Sequence, residues 1–314
     1  MDPGSWPPDA RVSDARNNWP GVNPLHVTPY NVVTADQMES LRKIREASYA
    51  HRSEVNVPVA PVPPGEGPNE LFLMGSWFKV GDKTGGLNYK MDRSDLAGII
   101  QSIRYGKQKS DFMIVAVHCH QNSFSYQAYS HDNSTPDFLI ELAHLAIDSG
   151  ADVFVGTGVH TMRGVEIYKG KPIFYGVGNF FIHSEPSMSI TDPSYRPPAQ
   201  GEYPWGGAIT VPTAGYAPSE HNRDIWAPDN MEAMLTTSRY EGGKLVEVRL
   251  YPADLGIDGT RPLSEVGTPL EASPEMAQRI LKHVQDMSKP FGTTISIENN
   301  VGVIRVAQTG TDSK

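Results

Sequence analysis

Apolar positions along this chain repeat with a helical period in some stretches and a strand period in others, and the switches between them outline the fold. Thr34 can cap a helix, and Met38, Leu41, Ile44 and Ala47 then form one stripe that predicts a helix to about Arg52. Residues 57–68 make a stiff Pro-rich connector that cannot pair as a central strand. Residues 71–80 read as a strand. A second helix opens at Asp92 or Ser94 and turns Leu96, Ile99, Ile100 and Ile103 inward; a buried strand over 112–117 follows it.

The third helix starts at Thr135-Pro136-Asp137, carries Leu139, Leu142, Ala143, Ala146 and Ile147, and stops at Gly150. A short strand over 152–155 comes next. A helix between two short apolar strands signals a βαβ unit, with parallel pairing and loops gathered at the strand ends. Strands over 165–168 and 172–175 are joined by the turn Lys169-Gly170-Lys171, and a long polar, Pro-rich insertion runs from about 184 to 230. Residues 231–239 and 244–251 pair as a hairpin, Ser273 caps a last helix through Met287, and 293–297 with 301–306 form another hairpin around Asn299-Asn300. The class is therefore α/β (α+β). Residues 1–56 are an irregular lead-in and helix, 57–183 the core, 184–230 an insertion, and 231–314 the C-terminal hairpins and helix of the same domain.

Composition narrows the possibilities. With 314 residues, 39% hydrophobic and 20% charged, the chain can bury a sizeable core. A net charge of -9, with no massed basic stripe, argues against nucleic acid as a partner. The longest apolar run, 112–117, is far below the roughly 18 residues that span a bilayer. The first residues lack the basic and apolar regions of a signal peptide, which implies a cytoplasmic protein if Met1 is the genuine start and leaves the compartment open otherwise. The single cysteine, Cys119, excludes an internal disulfide.

Candidate chemistry gathers where strands end. Alternate strand residues point the same way, so His118 and His120 project together and offer a metal half-site; the alternative is one hydrogen-bonded His and one surface His. Cys119 points the other way, as a small core residue. The segment Gly156-Thr-Gly-Val-His160 leaves a strand through glycines and places His160 at its tip, unless it is a plain exit turn. In Gly178-Asn179, the Asn179 amide can orient a histidine or a substrate oxygen, although such a pair is often only a turn. Asp137 and Glu141 complement a helix dipole. His183, Glu185 and Asp192 could reach the site from the insertion, whose Tyr195, Tyr203, Trp205, Tyr216 and Trp226 could form a lid or pack the insertion down.

The runs DFMIVAVHCH (111–120) and GADVFVGTGVHTMRGVEIYKGKPIFYGVGNF (150–180) resemble the CapA family, named for poly-γ-glutamate capsule synthesis. The segments 20–25 and 247–256 are similar to it as well, so the resemblance covers nearly the whole chain. It implies a calcineurin-like metallophosphoesterase fold, two packed sheets flanked by helices, with metals at strand-end loops. It further implies that His118 is a metal ligand, with His120 and His160 as further ligands or proton carriers and Asn179 as orienter. The ion would be Mn, Fe or Zn, and the substrate an anionic polymer, a peptide or a phosphoester.

Two departures qualify that expectation. Thr157 stands where the family's Gly-His-Gly-Pro-His pattern has its first histidine, and Val159 replaces the proline. The family's Gly-Asp, Asn-Leu-Glu and Asn-Asn-His blocks have no counterpart here, so the chain resembles the C-terminal portion of a member. A misplaced start, a partner chain that supplies the N-terminal part, and a degenerate paralogue each account for that. Three readings follow: a metal-dependent hydrolase, a non-catalytic accessory protein, and a metal-independent enzyme using His118, His120 and His160 as acid and base.

Overall fold

The computed structural model describes residues 22–54, 66–81, 85–124, 133–181, 232–256 and 267–306. The insertion over 184–230, with its aromatic residues and with Glu185 and Asp192, lies outside them, as does His183. The described chain is of mixed α/β class, with three sheets and four helices.

The first part holds β1 (Val27–Val33), α1 (Ala35–Glu54), β2 (Glu70–Leu73), β3 (Ser76–Val80) and β4 (Leu87–Met91). These strands form one sheet in the order β2-β3-β1-β4. Thr34 and Gln37 cap α1 reciprocally, the Gln37 N–H donating to Thr34 Oγ1 at 3.3 Å and the Thr34 N–H to Gln37 Oε1 at 2.9 Å. The single strand expected over 71–80 is instead a hairpin. Met74 and Gly75 take φ of 50° and 81°, a two-residue turn compatible with strand twist, and Leu73 pairs with Ser76 across it. This sheet adds to the two that the family resemblance implies.

The central sheet is built from β5 (Ile114–Cys119), β6 (Val153–Gly158), β7 (Val165–Tyr168) and β8 (Lys171–Phe174), in the order β5-β6-β8-β7. Two helices precede and link its first strands: α2 (Arg93–Lys107) and α3 (Asp137–Asp148). Asp92, not Ser94, caps α2, accepting from the N–H groups of Ser94 and Asp95. The β5-α3-β6 unit is parallel as expected, in the register His118↔Thr157 and Cys119↔Gly158. The strand expected to be buried over 112–117 is displaced and lies at the sheet edge, with Ile114 59% exposed. An apolar run does not reveal how many neighbours a strand has, so it read as buried.

The third sheet contains β9 (Glu232–Glu241), β10 (Lys244–Asp254), β11 (Leu270–Glu271), β12 (Ser296–Glu298) and β13 (Val301–Arg305), all antiparallel around β10. Asn299 and Asn300, at φ of 51° and 62°, make the tight turn that the sequence announced. Ser273 caps α4 (Pro274–Ser288) by accepting from the Met276 N–H.

The central and third sheets share one core: Val153, Val165 and Phe174 meet Val248 and Leu250, with Ile280, Leu281 and Val284 of α4. The opposite face of the central sheet is covered by α2 and α3, whose Ile103, Leu139 and Leu142 pack with Phe154 and Ile173. The central sheet is thus held rigidly between two layers, and the carboxyl ends of its parallel strands β5 and β6 emerge side by side. No described helix is long and apolar enough to cross a membrane.

Candidate functional site

On β5, Val115, Val117 and Cys119 face α3, while Ile114, Ala116 and His118 face the other way and are exposed. Cys119 is 3% exposed in the core, where burial pushes its thiol pKa up. His118 and His120 therefore meet where the strand ends. Their Nε2 atoms lie 3.0 Å apart, with ring planes at 60°. Each nitrogen pair at this distance holds one proton, so one imidazole donates and the other accepts. Burial lowers the pKa of His118, and that of His120 falls to about 4, chiefly through burial with nearby positive charge adding to it. Both rings are neutral at pH 7.

His160 joins them from the loop after β6. Its ring centroid lies 5.3 Å from that of His120, and its backbone adopts φ of 60°, uncommon for a residue other than glycine and often found where a side chain must be aimed. Asn179 holds it from both sides. The Asn179 Nδ2–H donates to the His160 carbonyl at 3.0 Å, which turns Oδ1 toward the ring, 2.8 Å from Nδ1. An amide oxygen can only accept, so His160 Nδ1 carries the proton and Nε2 keeps its lone pair. The structure thus brings together all four residues singled out in the sequence.

Thr157, the departure from the histidine pattern, lies across the ladder from His118 but turns its hydroxyl to the Val117 carbonyl at 3.2 Å. Gly158 permits the close approach of the ring: at φ of 96°, a Cβ there would stand 3.1 Å from Nε2 and Cδ2 of His118. The carboxylate of Asp137 does more than face a helix dipole, since it accepts from the N–H groups of Tyr89 and Phe138 and ties β4 to α3. Glu141 is exposed.

Sequence reasoning missed Arg163. It is fully buried beneath the site and donates from Nη2 to the Gln121 carbonyl at 2.5 Å, which fixes the loop that leaves β5. A lone arginine in a loop gives no periodic signal. A metal centre needs donors converging on one point, and among the described residues no group of three His, Cys, Asp or Glu side chains does so. The pair His118 and His120 brings two ring nitrogens within 3.0 Å of each other.

The family model for bacterial capsule synthesis protein PGA_cap matches residues 22–184, a stretch that contains every residue of the cluster. The chain belongs to the PGA_cap family. Among similar proteins, the uncharacterized protein y4sH of Sinorhizobium fredii (strain NBRC 101917 / NGR234) is 37% identical over 291 residues, which is 91% of this chain and 59% of y4sH. The PGA biosynthesis protein CapA of Bacillus subtilis (strain 168) is 35% identical over 81 residues, 26% of this chain and 19% of its own. The probable polyglutamine synthesis accessory protein Rv0574c of Mycobacterium tuberculosis (strain ATCC 25618 / H37Rv) is 37% identical over 73 residues, 23% and 17% of the two chains. This PGA_cap chain therefore spans less than two thirds of the length of these relatives.

Proposed function

We propose that this chain serves the synthesis of an anionic capsule polymer of the polyglutamate type, and that His118, His120 and His160 are its reaction centre, working as a hydrolase on a phosphoester or peptide-like bond. The observation that carries the reading is the contact of two neutral imidazoles, His118 and His120, at 3.0 Å beside a third of fixed tautomer. His160 Nε2 can accept a proton from an attacking water and, as the imidazolium so formed, return it to the leaving group, while the neutral His118–His120 pair hydrogen-bonds the reacting groups. Asn179 orients the ring of His160 throughout.

A divalent Mn, Fe or Zn ion is the cofactor of this reading; His118 and His120 would hold it, and His160, whose ring does not converge with theirs on one point, would have to turn to become a third ligand. Such an ion lowers the pKa of a bound water and polarises the scissile group. The described side chains supply two closely set donors, and further ligands must come from elsewhere to close the centre. A second reading, acid and base catalysis without metal, is favoured by the His118–His120 hydrogen bond itself, because a neutral imidazole that takes up a proton from the reaction can pass it through that bond to its neighbour.

Metal analysis of the purified chain separates the two. At least half an equivalent bound after addition of Mn, Zn or Fe, lost in His118→Ala, supports the metalloenzyme; less than a tenth of an equivalent in both proteins removes it. Turnover of a phosphoester or γ-glutamyl substrate that persists in the His118→Ala, His160→Ala double variant removes both catalytic readings and leaves an accessory role in polymer synthesis.

A further inference from the structure

The segments that follow β6 and β8 form one clamped unit. Met162 and Val177 pair in an antiparallel bridge, the Arg163 N–H donates to the Gly176 carbonyl at 3.0 Å, and the Tyr175 N–H donates to the Gly164 carbonyl at 3.2 Å. Asn179 and His160 are bonded to each other within the same unit. The loop that leaves β5 is a separate piece, because its ladder with β6 ends at Cys119↔Gly158, before His120. Beyond that pair the loop is held from two sides. The Tyr89 hydroxyl donates to the Asn122 carbonyl at 2.7 Å and draws the loop toward β4, while Arg163 Nη2 donates to the Gln121 carbonyl at 2.5 Å and draws it toward the unit that carries His160.

We propose that Arg163 is the positioning residue of the histidine cluster: its side chain sets the His120 ring relative to His160 by tying the loop after β5 to the clamped unit. Gln121 directly follows His120, so a displacement of its carbonyl moves the ring. The guanidinium suits this span, since its rigid fork carries five donors and meets the Cys119 sulfur as well as the Gln121 carbonyl. The stem is fixed too. A Cβ on residue 176 would stand 3.2 Å from Arg163 Cγ, and glycine there leaves the stem its path. A guanidinium is costly to bury, and Arg163 is 0% exposed; an apolar side chain would fill the same space without that penalty. The charge is thus explained by what its donors hold, not by packing. Arg163 sets this geometry whether or not the imidazoles catalyse anything, and only its effect on turnover rests on the reaction proposed above.

Arg163→Met tests the role in the intact chain, by nitrogen-15 NMR at a fixed pH of about 7, where the unperturbed imidazole is mostly neutral. In the parent, the Nε2 nuclei of His118 and His120 should be coupled across their hydrogen bond, and His160 should show a protonated Nδ1. In the variant the coupling is expected to vanish while the His160 signals stay, because the bonds within its unit do not use the Arg163 side chain. A general loosening of the fold would change both sets of signals together, and that result overturns the proposal, as does a variant that keeps the coupling. Where the variant does not fold, the parent decides: a coupling across the hydrogen bond between Arg163 Nη2 and the Gln121 carbonyl carbon is expected, and its absence overturns the proposal. Turnover in the proposed reaction should fall about 100-fold in the variant. The ring signals are read without substrate, so a parent with no turnover removes the catalytic reading and leaves the test of Arg163 intact.

Discussion

The Nε2 atoms of His118 and His120 face each other at 3.0 Å, so the two imidazoles act as one proton-sharing unit. Strand geometry produces that contact. His118 ends the outward-facing row of β5, His120 follows two residues later, and Gly158 on the neighbouring strand leaves room for the ring.

Acid should destabilise the protein before it affects most carboxylates. The unfolded chain protonates histidine near pH 6.5, whereas folded His120 resists protonation to about pH 4 and His118 is shifted the same way. Between those limits the unfolded state binds more protons, so stability present above pH 6.5 is lost as pH falls toward 4. Urea midpoints measured from pH 7 to 4.5 should decline, and His120→Gln should flatten the decline; an unchanged slope in the variant would assign the effect to other groups.

Gly158→Ala should strain the site directly. The added Cβ would meet His118 at 3.1 Å while the backbone holds φ of 96°, a combination that costs about 1–3 kcal/mol. Chemical denaturation should register that loss, and the His118 ring resonances should shift with it. A variant as stable as the parent would show that the strand end relaxes freely.

Asn179→Leu should release the tautomer of His160 without unfolding the chain. Nitrogen-15 spectra of the parent should give a protonated Nδ1 and a bare Nε2 for His160 at neutral pH; the variant should give a mixture. For the activity proposed above, loss of such an orienting bond predicts a fall of about 10–100-fold.

Tyr175→Phe tests the polar network within the core. The Tyr175 hydroxyl donates to the Glu166 carboxylate, which also meets His144, and burial beside that carboxylate raises the tyrosine pKa. Removing a hydrogen bond to a buried charged group should cost about 1.5–3 kcal/mol in denaturation experiments.

Much of this arrangement was legible in the sequence because it follows short periods. The stripes of α2 and α3, the Ser273 cap and the Asn299-Asn300 turn each rest on a few adjacent residues. His118 and His120 were legible for the same reason, being two apart on a strand. What escaped depends on partners distant in sequence. The apolar run at β5 gave no sign that one edge is unpaired among the described residues, the continuous strand-like composition over 71–80 hid the turn at Met74, and nothing around Arg163 distinguished a buried guanidinium from a surface one. Asn179 was legible as an amide able to orient a histidine or a substrate oxygen, with a plain turn as the alternative; its partner was not, since the bond to His160 joins two loops 19 residues apart.

The most direct test of the centre is a pH titration of the histidine ring resonances by nitrogen-15 NMR. The structure predicts that His118 and His120 are both neutral at pH 7, that they share a proton between their Nε2 atoms, and that His120 charges only near pH 4. Two rings that titrate independently near pH 6.5, with no sign of a shared proton, would contradict the account.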